Sequence, residues 1–339
     1  MQRRILAVLG LTLTACTVQR WQPAPMATVE DHTAHMQAAD LRLTPIVPRT
    51  GATAQGMAGF PASDNAAAAR IASTPRHAEW VKIAWEPGSK DSLMAWIVYP
   101  VSRAKAPVVV VVHEIYGLST WVRGVADQVA ADGFIAIAPD LNSRVRGGPS
   151  TAELTRDSAS KIIRGVDIPE RNKGIAAVAN YAMMQPSAEQ RYAVIGYCWG
   201  GQTVWGHSVN GGVKGFVGGV AFYGAFPYSV GGTPATATTP AVPGTVAADS
   251  LAKIKFPVML LNGSKDARIS AQMPAVDSIM KALTKDYVGM NYDGAIHGFL
   301  RAQDDPATGQ NAGTEAANVA ATKDGWPRTV AFLKKHLNK

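Results

Sequence analysis

The chain has 339 residues, of which 47% are hydrophobic, and a formal charge of +8 at pH 7. The length alone would allow two domains, but the composition indicates one globular domain with an extended N-terminal tether. The positive charge is mild for this length and is not gathered into a basic run with interleaved aromatic residues, so nucleic-acid binding has little support. At most, the charge favours a weak attraction to anionic small molecules or an anionic membrane surface.

The first sixteen residues have the pattern of an export signal. Residues 1–4 carry two arginines, and residues 5–15 are an apolar run of signal-peptide length that is too short to span a membrane. Residues 13–16 (Leu-Thr-Ala-Cys) also fit a bacterial lipobox, in which Cys16 is lipidated and becomes the mature N-terminus. An ordinary signal peptide with an incidental cysteine is the alternative. Either reading predicts export, to the periplasm or to a lipid anchor on the outer membrane of a bacterium.

Residues 17–77 are rich in Ala, Pro, Thr and Met and have no sustained helical or strand period. We therefore predict a linker or loosely packed arm that precedes a domain at residues 78–339. His32 and His35 lie within this arm, but without further clear ligands they favour a solvent-facing pair over a metal site.

From residue 78 onward, strand and helix patterns alternate. Residues 80–84 and 93–99 predict an antiparallel pair, and the β-branched run at 107–112 is typical of a strand buried on both faces. The later elements are a helix at 121–132, a strand at 134–138, a helix at 172–184, strands at 191–195, 215–223 and 257–261, a helix around 275–283, a strand at 287–292 and a closing helix within 315–336. This alternation predicts an α/β fold with a mostly parallel central sheet and helices on both faces.

The strand at 191–195 leads into Gly196-Tyr197-Cys198-Trp199-Gly200, which has the Gly-x-Cys-x-Gly form of a nucleophile elbow with cysteine in place of serine. Glycine is needed at both flanking positions because the turn is so tight that a side chain would collide with neighbouring backbone. The chain has only two cysteines, and the other, Cys16, belongs to the signal region. We therefore expect Cys198 to be a free thiol with a catalytic function.

Catalytic groups in such a sheet collect on the loops that follow its strands. Asp266 follows the strand at 257–261 and His297 follows the strand at 287–292, so nucleophile, acid and histidine appear in the chain order of an α/β-hydrolase. We predict that His297 takes the thiol proton or holds the thiolate as an ion pair, and that Asp266 orients the imidazole. Asp293 is a rival for the acid, although the fold usually supplies it from the preceding strand's loop.

Several motifs together make residues 78–337 resemble the dienelactone hydrolase family. They are His113-Glu114-Ile115-Tyr116-Gly117, Ala138-Pro139-Asp140-Leu141, the cysteine elbow, Asp266 and His297-Gly298-Phe299. Each motif alone is weak, but the cysteine elbow combined with His-Glu-Ile-Tyr-Gly is specific. The resemblance implies an α/β-hydrolase whose Cys198-His297-Asp266 triad hydrolyses enol-lactones or related esters without a metal or other cofactor.

The resemblance also implies a role for Glu114, whose family equivalent keeps the resting thiol protonated until substrate displaces it. Like-charge repulsion between a carboxylate and a thiolate agrees with this role. In an exported enzyme, a protonated thiol would also resist oxidation. The geometry of the elbow places the oxyanion hole at the backbone N–H groups of Trp199 and Ile115.

Substrate recognition is less clearly encoded. Arg301 stands four residues after His297, where family members carry an arginine that binds the substrate carboxylate. Arg144 has the position of a second family arginine, but the usual tyrosine is missing from its Asn-Ser-Arg segment. Bidentate contacts from these two guanidinium groups would suit an acidic lactone, and solvent-facing arginines are the alternative. Candidates for an apolar pocket wall, or else for the core, are Tyr116, Trp199 and Tyr223.

The sequence thus predicts an exported, monomeric hydrolase that cleaves a small ester or lactone through a thioester acyl-enzyme. A broad carboxylesterase or thioesterase with the same groups is one alternative. It is favoured by the altered segment at Asn142 and by a Pro/Thr/Gly-rich insertion at 231–245, which lies where loops often shape substrate access. A non-catalytic, envelope-tethered binding protein is another, and the presence of the complete triad together with Glu114 argues against it.

Overall fold

The computed structural model describes residues 56–150, 154–232 and 244–338. Within these ranges the strands are β1 (Ala78–Ala84), β2 (Ser92–Val98), β3 (Ala106–Val112), β4 (Ile135–Asp140), β5 (Ala188–Tyr197), β6 (Phe216–Phe222), β7 (Ser229–Val230), β8 (Thr245–Val246), β9 (Val258–Gly263) and β10 (Tyr287–Tyr292). Eight of them form one sheet in the order β1-β2-β4-β3-β5-β6-β9-β10, while β7 and β8 pair separately. In the large sheet β2 is antiparallel to β1 and to β4, and the other neighbours run parallel.

The described helices are α1 (Ala67–Ala72), α2 (Thr120–Ala131), α3 (Ser143–Arg146), α4 (Arg156–Ile163), α5 (Ile168–Met183), α6 (Trp199–Asn210), α7 (Ala248–Ala252), α8 (Ala267–Ala282), α9 (Phe299–Ala302) and α10 (Glu315–Leu337), with a 3-10 turn at Gly309–Asn311. Together with the sheet they confirm the predicted α/β-hydrolase architecture. In the described part of the chain, none of them combines the length and apolar character needed to cross a membrane.

The centre of the sheet is where the sequence is most apolar. Every residue of β3 is buried, as its run of valines predicts for a strand covered on both faces. Helices α5 and α8 begin earlier than their apolar periods indicate, because Asp167 and Asp266 cap their N-termini by accepting hydrogen bonds from backbone N–H groups. Asp266 comes three residues after the end of β9, so it lies close to the edge at which the parallel strands end.

Residues 56–77 pack against the domain, although the sequence predicts a linker or loose arm there. Ala67 of α1 is fully buried. The buried carboxylate of Asp127 on α2 binds Arg70 at 2.7 Å, Arg76 at 2.8 Å and the hydroxyl of Thr74 at 2.5 Å. The packed unit consequently begins before residue 78, because contacts distant in sequence, rather than a local period, hold this segment.

Several sequence predictions fall outside the described residues. They concern the signal region with Cys16, the pair His32 and His35, and most of the 231–245 insertion.

Candidate active site

Cys198 occupies a strained turn between β5 and α6. Its φ of 56° and ψ of −111° are unusual for a non-glycine residue. The turn is fixed by two backbone hydrogen bonds, from the Cys198 N–H to the Phe222 carbonyl (3.0 Å) and from the Gln202 N–H to the Cys198 carbonyl (3.1 Å). Strain held by the surrounding backbone in this way is typical of a functional position.

The two glycines beside Cys198 are required for the reason that the sequence predicts. A Cβ at Gly196 would collide with the carbonyl of Gly200, and a Cβ at Gly200 would collide with the carbonyls of Val112 and His113. The loop that leaves β3 therefore passes directly against the elbow. This close approach brings the residues after His113 to the half-buried thiol of Cys198.

His297 and Asp266 meet beside the elbow from two further strand ends. Asp266 follows β9 and His297 follows β10, and His297 Nδ1 lies 2.5 Å from Asp266 Oδ2. The other carboxylate oxygen of Asp266 accepts the Ile269 N–H at 3.1 Å, which fixes the carboxylate at the start of α8. Cys198, His297 and Asp266 thus lie together, with His297 between the other two. A nucleophile, a base and an orienting acid would need this arrangement.

The electrostatics of His297 agree with this arrangement. Burial alone would lower the pKa of His297, but hydrogen bonds to Asp266 and Cys198, with the negative charge of both groups, raise it to about 9. The ring of Tyr223 packs against the imidazole with centroids 5.0 Å apart. The imidazolium form is therefore stabilised between a carboxylate and the sulfur.

Asp293, the rival acid, lies apart from this hydrogen bond. Its side chain is exposed, and Oδ1 accepts the hydroxyl of Ser264 at 3.4 Å. The carboxylate that His297 contacts is that of Asp266, from the loop after the preceding strand.

The predicted oxyanion donors lie on the two segments that meet at the elbow. Trp199 is the first residue of α6, so its backbone N–H has no acceptor within the helix. Ile115 lies on the loop that leaves β3, which the Gly200 backbone contacts. A helix N-terminus beside the nucleophile also favours negative charge on a substrate oxygen.

Glu114 is buried at this site, and its carboxylate pairs with Arg301 rather than with the thiol predicted from the family resemblance. Glu114 Oε2 lies 2.9 Å from Arg301 Nε. Burial raises the pKa of Glu114, while the positive charges of Arg301 and His297 oppose that rise. Arg301 is within the site, as the sequence predicts, but one of its nitrogens already faces a carboxylate.

Arg144 contacts other groups than those predicted for it. Its Nη1 lies 2.5 Å from Glu170 and its Nε lies 3.7 Å from Asp91, while the guanidinium stacks over the ring of Trp85 at 4.7 Å. The structure therefore uses Arg144 to join α3 to α5 and to the turn after β1. Tyr116 is half-buried and lies under the guanidinium of Arg156, 4.9 Å from the ring centroid.

His113 holds the loop that carries Glu114. Its Nδ1 hydrogen bonds with the Glu114 carbonyl at 2.6 Å, and its Nε2 accepts the Leu141 N–H at 3.1 Å. Full burial lowers its pKa to about 4, so the ring is neutral at pH 7 and can accept that N–H. The ring also stacks on Trp199 with centroids 5.6 Å apart. His113 therefore ties the ends of β3 and β4 to the elbow.

Three charged residues that the sequence did not single out also lie near the site: Asp64, Arg156 and Arg171. Arg171 on α5 stacks over the ring of Trp199 at 3.9 Å. Asp64 contacts both Arg301 and Arg156. These three residues can be assigned to the site only from their contacts in the structure. In the sequence, Asp64 lies in a stretch without periodicity and neither arginine belongs to a motif.

No group of three or more His, Cys, Asp or Glu side chains in the described ranges is arranged to hold a metal ion. The functional groups of the site are a thiol, an imidazole, carboxylates, guanidinium groups and backbone donors. This set is suited to nucleophilic acyl transfer.

Comparisons with known proteins agree with the geometry. Residues 93–337 match the model of the dienelactone hydrolase family. A protein named "Putative carboxymethylenebutenolidase" from Salmonella typhimurium is 27% identical over 286 residues, 83% of this chain and 97% of that protein. A protein named "Probable 2-oxo-3-(5-oxofuran-2-ylidene)propanoate lactonase" from Bradyrhizobium is 26% identical over 264 residues, 76% of this chain and 94% of that protein.

A similar fold is found in a solved structure described as a putative dienelactone hydrolase from Klebsiella pneumoniae. Its TM-score is 0.58 at 22% identity, and the match covers 75% of this chain and 98% of that one. The matched family region runs from the second residue of β2 past β10, and it includes the elbow, His297 and Asp266. The chain belongs to the dienelactone hydrolase family.

Proposed function

We propose that this hydrolase cleaves a small carboxylic ester or enol-lactone with Cys198 as the nucleophile. We base this on one observation above all, the strained elbow that presents Cys198 to a His297 whose other nitrogen lies 2.5 Å from Asp266. The names of the Salmonella and Bradyrhizobium relatives favour an enol-lactone as the substrate.

In the proposed mechanism, His297 takes the thiol proton and the sulfur of Cys198 attacks the substrate carbonyl. The carbonyl oxygen becomes an oxyanion that accepts hydrogen bonds from the backbone N–H groups of Trp199 and Ile115. Collapse of this intermediate breaks the C–O bond, and the proton on His297 passes to the leaving oxygen. The product is a thioester on Cys198. Water then gives a proton to His297 and attacks the thioester, and the second collapse returns that proton to the sulfur and releases the acid.

Glu114 in this proposal controls the charge around the thiol. The Glu114 carboxylate lies 2.9 Å from Arg301, and the sulfur of Cys198 contacts His297 instead. Attack by the sulfur needs this second contact. If Glu114 turned towards the sulfur, like-charge repulsion would disfavour the thiolate. Movement of Glu114 between these two partners would then switch the nucleophile on and off.

A broad carboxylesterase or thioesterase is the second candidate, and a specific observation favours it. Arg144 is engaged by Glu170 and Asp91, and Arg301 is engaged by Glu114. Both guanidinium groups therefore already pair with carboxylates of the protein, and neither is available to bind a substrate carboxylate without giving up such a contact.

The test is hydrolysis of a dienelactone alongside phenyl acetate, by the mature protein and by Cys198→Ala. Preference for the dienelactone that the variant loses would support the lactonase. Activity on phenyl acetate alone, also lost in the variant, would move the function to a general esterase. If the parent cleaves neither ester and a thiol reagent labels Cys198 equally with and without His297, a binding protein is the better description.

We also propose export of the protein and a lipid anchor at Cys16, on the basis of the lipobox and the short apolar run before it. Mass spectrometry of the membrane-extracted protein should find diacylglycerol on Cys16. An N-terminus cleaved elsewhere, with an unmodified or absent Cys16, would contradict the anchor.

A further inference from the structure

The N-terminal arm brings a carboxylate to the active site. The Asp64 N–H donates to the Arg301 carbonyl at 2.9 Å. The Asp64 carboxylate lies 3.8 Å from Arg301 Nη1 and 2.9 Å from Arg156 Nη2. Backbone and side chain of Asp64 therefore both engage the segment that follows the catalytic histidine.

The arm is fixed on either side of Asp64. The hydroxyl of Ser63 and the N–H of Asn65 both donate to the carboxylate of Asp305, at 2.9 and 3.2 Å. Gln303 donates from its amide to the Pro61 carbonyl at 2.8 Å. These contacts hold the Asp64 side chain at Arg301, although 34% of its surface stays exposed.

The charges at this place are balanced without a substrate. Glu114 faces Arg301 Nε, and Asp64 faces both Arg301 Nη1 and Arg156. Two carboxylates thus neutralise two guanidinium groups. A substrate carboxylate arriving at Arg301 would be a third negative charge among two positive ones, and it would have to displace a carboxylate that is already seated.

We infer that Asp64 is a specificity-determining residue that holds Arg301 in place of a substrate carboxylate, so that the site prefers esters without a negative charge near the scissile carbonyl. This inference rests on the ester hydrolysis by Cys198 proposed above, and of the two candidates it favours the broad carboxylesterase over a lactonase for an anionic lactone. Replacing Asp64 by Asn keeps the shape and the backbone N–H donor but gives the cluster a net positive charge. Arg301 Nη1 would then be available to an anionic substrate.

The experiment compares phenyl butanoate with the monophenyl ester of succinic acid, which has the same chain length and one carboxylate. We expect the ratio of kcat/KM for the anionic over the neutral ester to rise about tenfold in Asp64→Asn, since solvent screens part of the effect of this partly exposed charge. The gain should come from KM, and it should shrink at high salt because the effect is electrostatic.

Asp304→Asn is the matched control. It removes the same charge from an exposed residue between Gln303 and Asp305, the two residues that contact the arm, and we expect its ratio to equal that of the parent. An unchanged ratio in Asp64→Asn, or an equal gain in Asp304→Asn, would overturn the inference. If Asp64→Asn lowers the melting temperature, Asp64→Ser provides a second neutral variant for the same comparison.

A binding measurement separates this inference from the proposed function. In the Cys198→Ser background, calorimetry with glutarate should show about tenfold tighter binding when Asp64 is also replaced by Asn. Such a gain would support the role of Asp64 even if neither ester were hydrolysed, in which case the proposed function alone would fail. Equal glutarate affinity in the two proteins would overturn the role of Asp64 whether or not the parent is an esterase.

Discussion

Replacement of Asp266 by Asn tests the catalytic assignment with little disturbance of the fold. Asp266 both binds His297 Nδ1 at 2.5 Å and caps α8 by accepting the Ile269 N–H at 3.1 Å. Asn is as good a helix cap as Asp, so the cap is retained. Only the negative charge that faces the imidazole is lost.

The size of the effect follows from two contributions. A hydrogen bond to a charged group typically contributes about 1.5–3 kcal/mol, which corresponds to a loss of roughly ten- to 150-fold in rate. The Asp266 side chain is only 8% exposed, so solvent replaces little of this. In addition, an Asn amide that donates to Nδ1 of His297 leaves the proton on Nε2, where the ring can no longer accept one from Cys198. A wrong tautomer of this kind has cost about 10⁴ in a serine triad. We therefore expect kcat/KM to fall by about 10² to 10⁴.

The assay is hydrolysis of phenyl acetate or a dienelactone, whichever the parent cleaves, with thermal unfolding measured in parallel. Asp293→Asn is the matched control, because Asp293 is the other acid near the histidine loop and is exposed. It should keep activity within about twofold of the parent. Both variants should keep the melting temperature of the parent.

The reasoning would be refuted by Asp266→Asn activity close to that of the parent. It would equally be refuted by a loss confined to Asp293→Asn, which would move the orienting role to the strand end that carries the histidine itself. A loss of activity accompanied by a large fall in melting temperature would instead mean that Asn does not replace the helix cap.

Three further predictions use other parts of the structure. Cys198→Ala should lower the pKa of His297 from about 9, because a hydrogen bond and a negative charge that raise it are lost, and NMR titration of the imidazole would measure this; an unchanged pKa would mean that the sulfur does not contact the ring. Gly200→Ala should cost more than about 3 kcal/mol in denaturant unfolding, since its Cβ meets the carbonyl oxygens at the end of β3, and a near-parent stability would contradict that close approach. Asp127→Ala should lower the free energy of unfolding by about 2–4 kcal/mol, because two arginines lose a buried partner. The control Asp324→Ala, at a half-buried residue paired with Arg328, should cost less than about 1 kcal/mol. Burial acts to raise the pKa of Asp127, but its hydrogen bonds and the arginine charges hold the pKa below the usual value. Its contribution to stability should therefore be present above about pH 4 and be lost as the pH falls further. Equal losses of stability in both variants at pH 7 would contradict the clamp that Arg70 and Arg76 form on Asp127.

Features that depend on short-range sterics could be predicted from the sequence. The valines of β3 identify a strand buried on both faces because no other element accommodates such a run so well. The glycines around Cys198 identify the elbow because the backbone approaches too closely for a Cβ. Asp266 could be chosen over Asp293 because the order of strands in the fold determines which loop reaches the histidine.

Features that depend on a choice among charged partners could not be predicted in this way. Arg144 has the sequence position of a substrate-binding arginine, but Glu170 lies 2.5 Å away and engages it. Glu114 follows β3 as expected, but Arg301 takes its carboxylate. A charged side chain that could reach several partners pairs with the one that the complete fold brings nearest. Neither periodicity nor motif spacing indicates which partner that is.

The N-terminal arm links the stability of the fold to the charge of the site. The same segment packs against α2 and brings Asp64 to Arg301. The clamp of Arg70 and Arg76 on Asp127 holds the arm against α2, and six residues before Arg70 the same arm places Asp64 at Arg301. Removal of Asp127 should therefore affect both stability and substrate charge preference, since a released arm carries Asp64 away from the site. Removal of the Asp64 charge alone should affect only the preference. The two removals differ in effect because the contacts of Asp127 position the arm, whereas the arm in turn positions the Asp64 carboxylate.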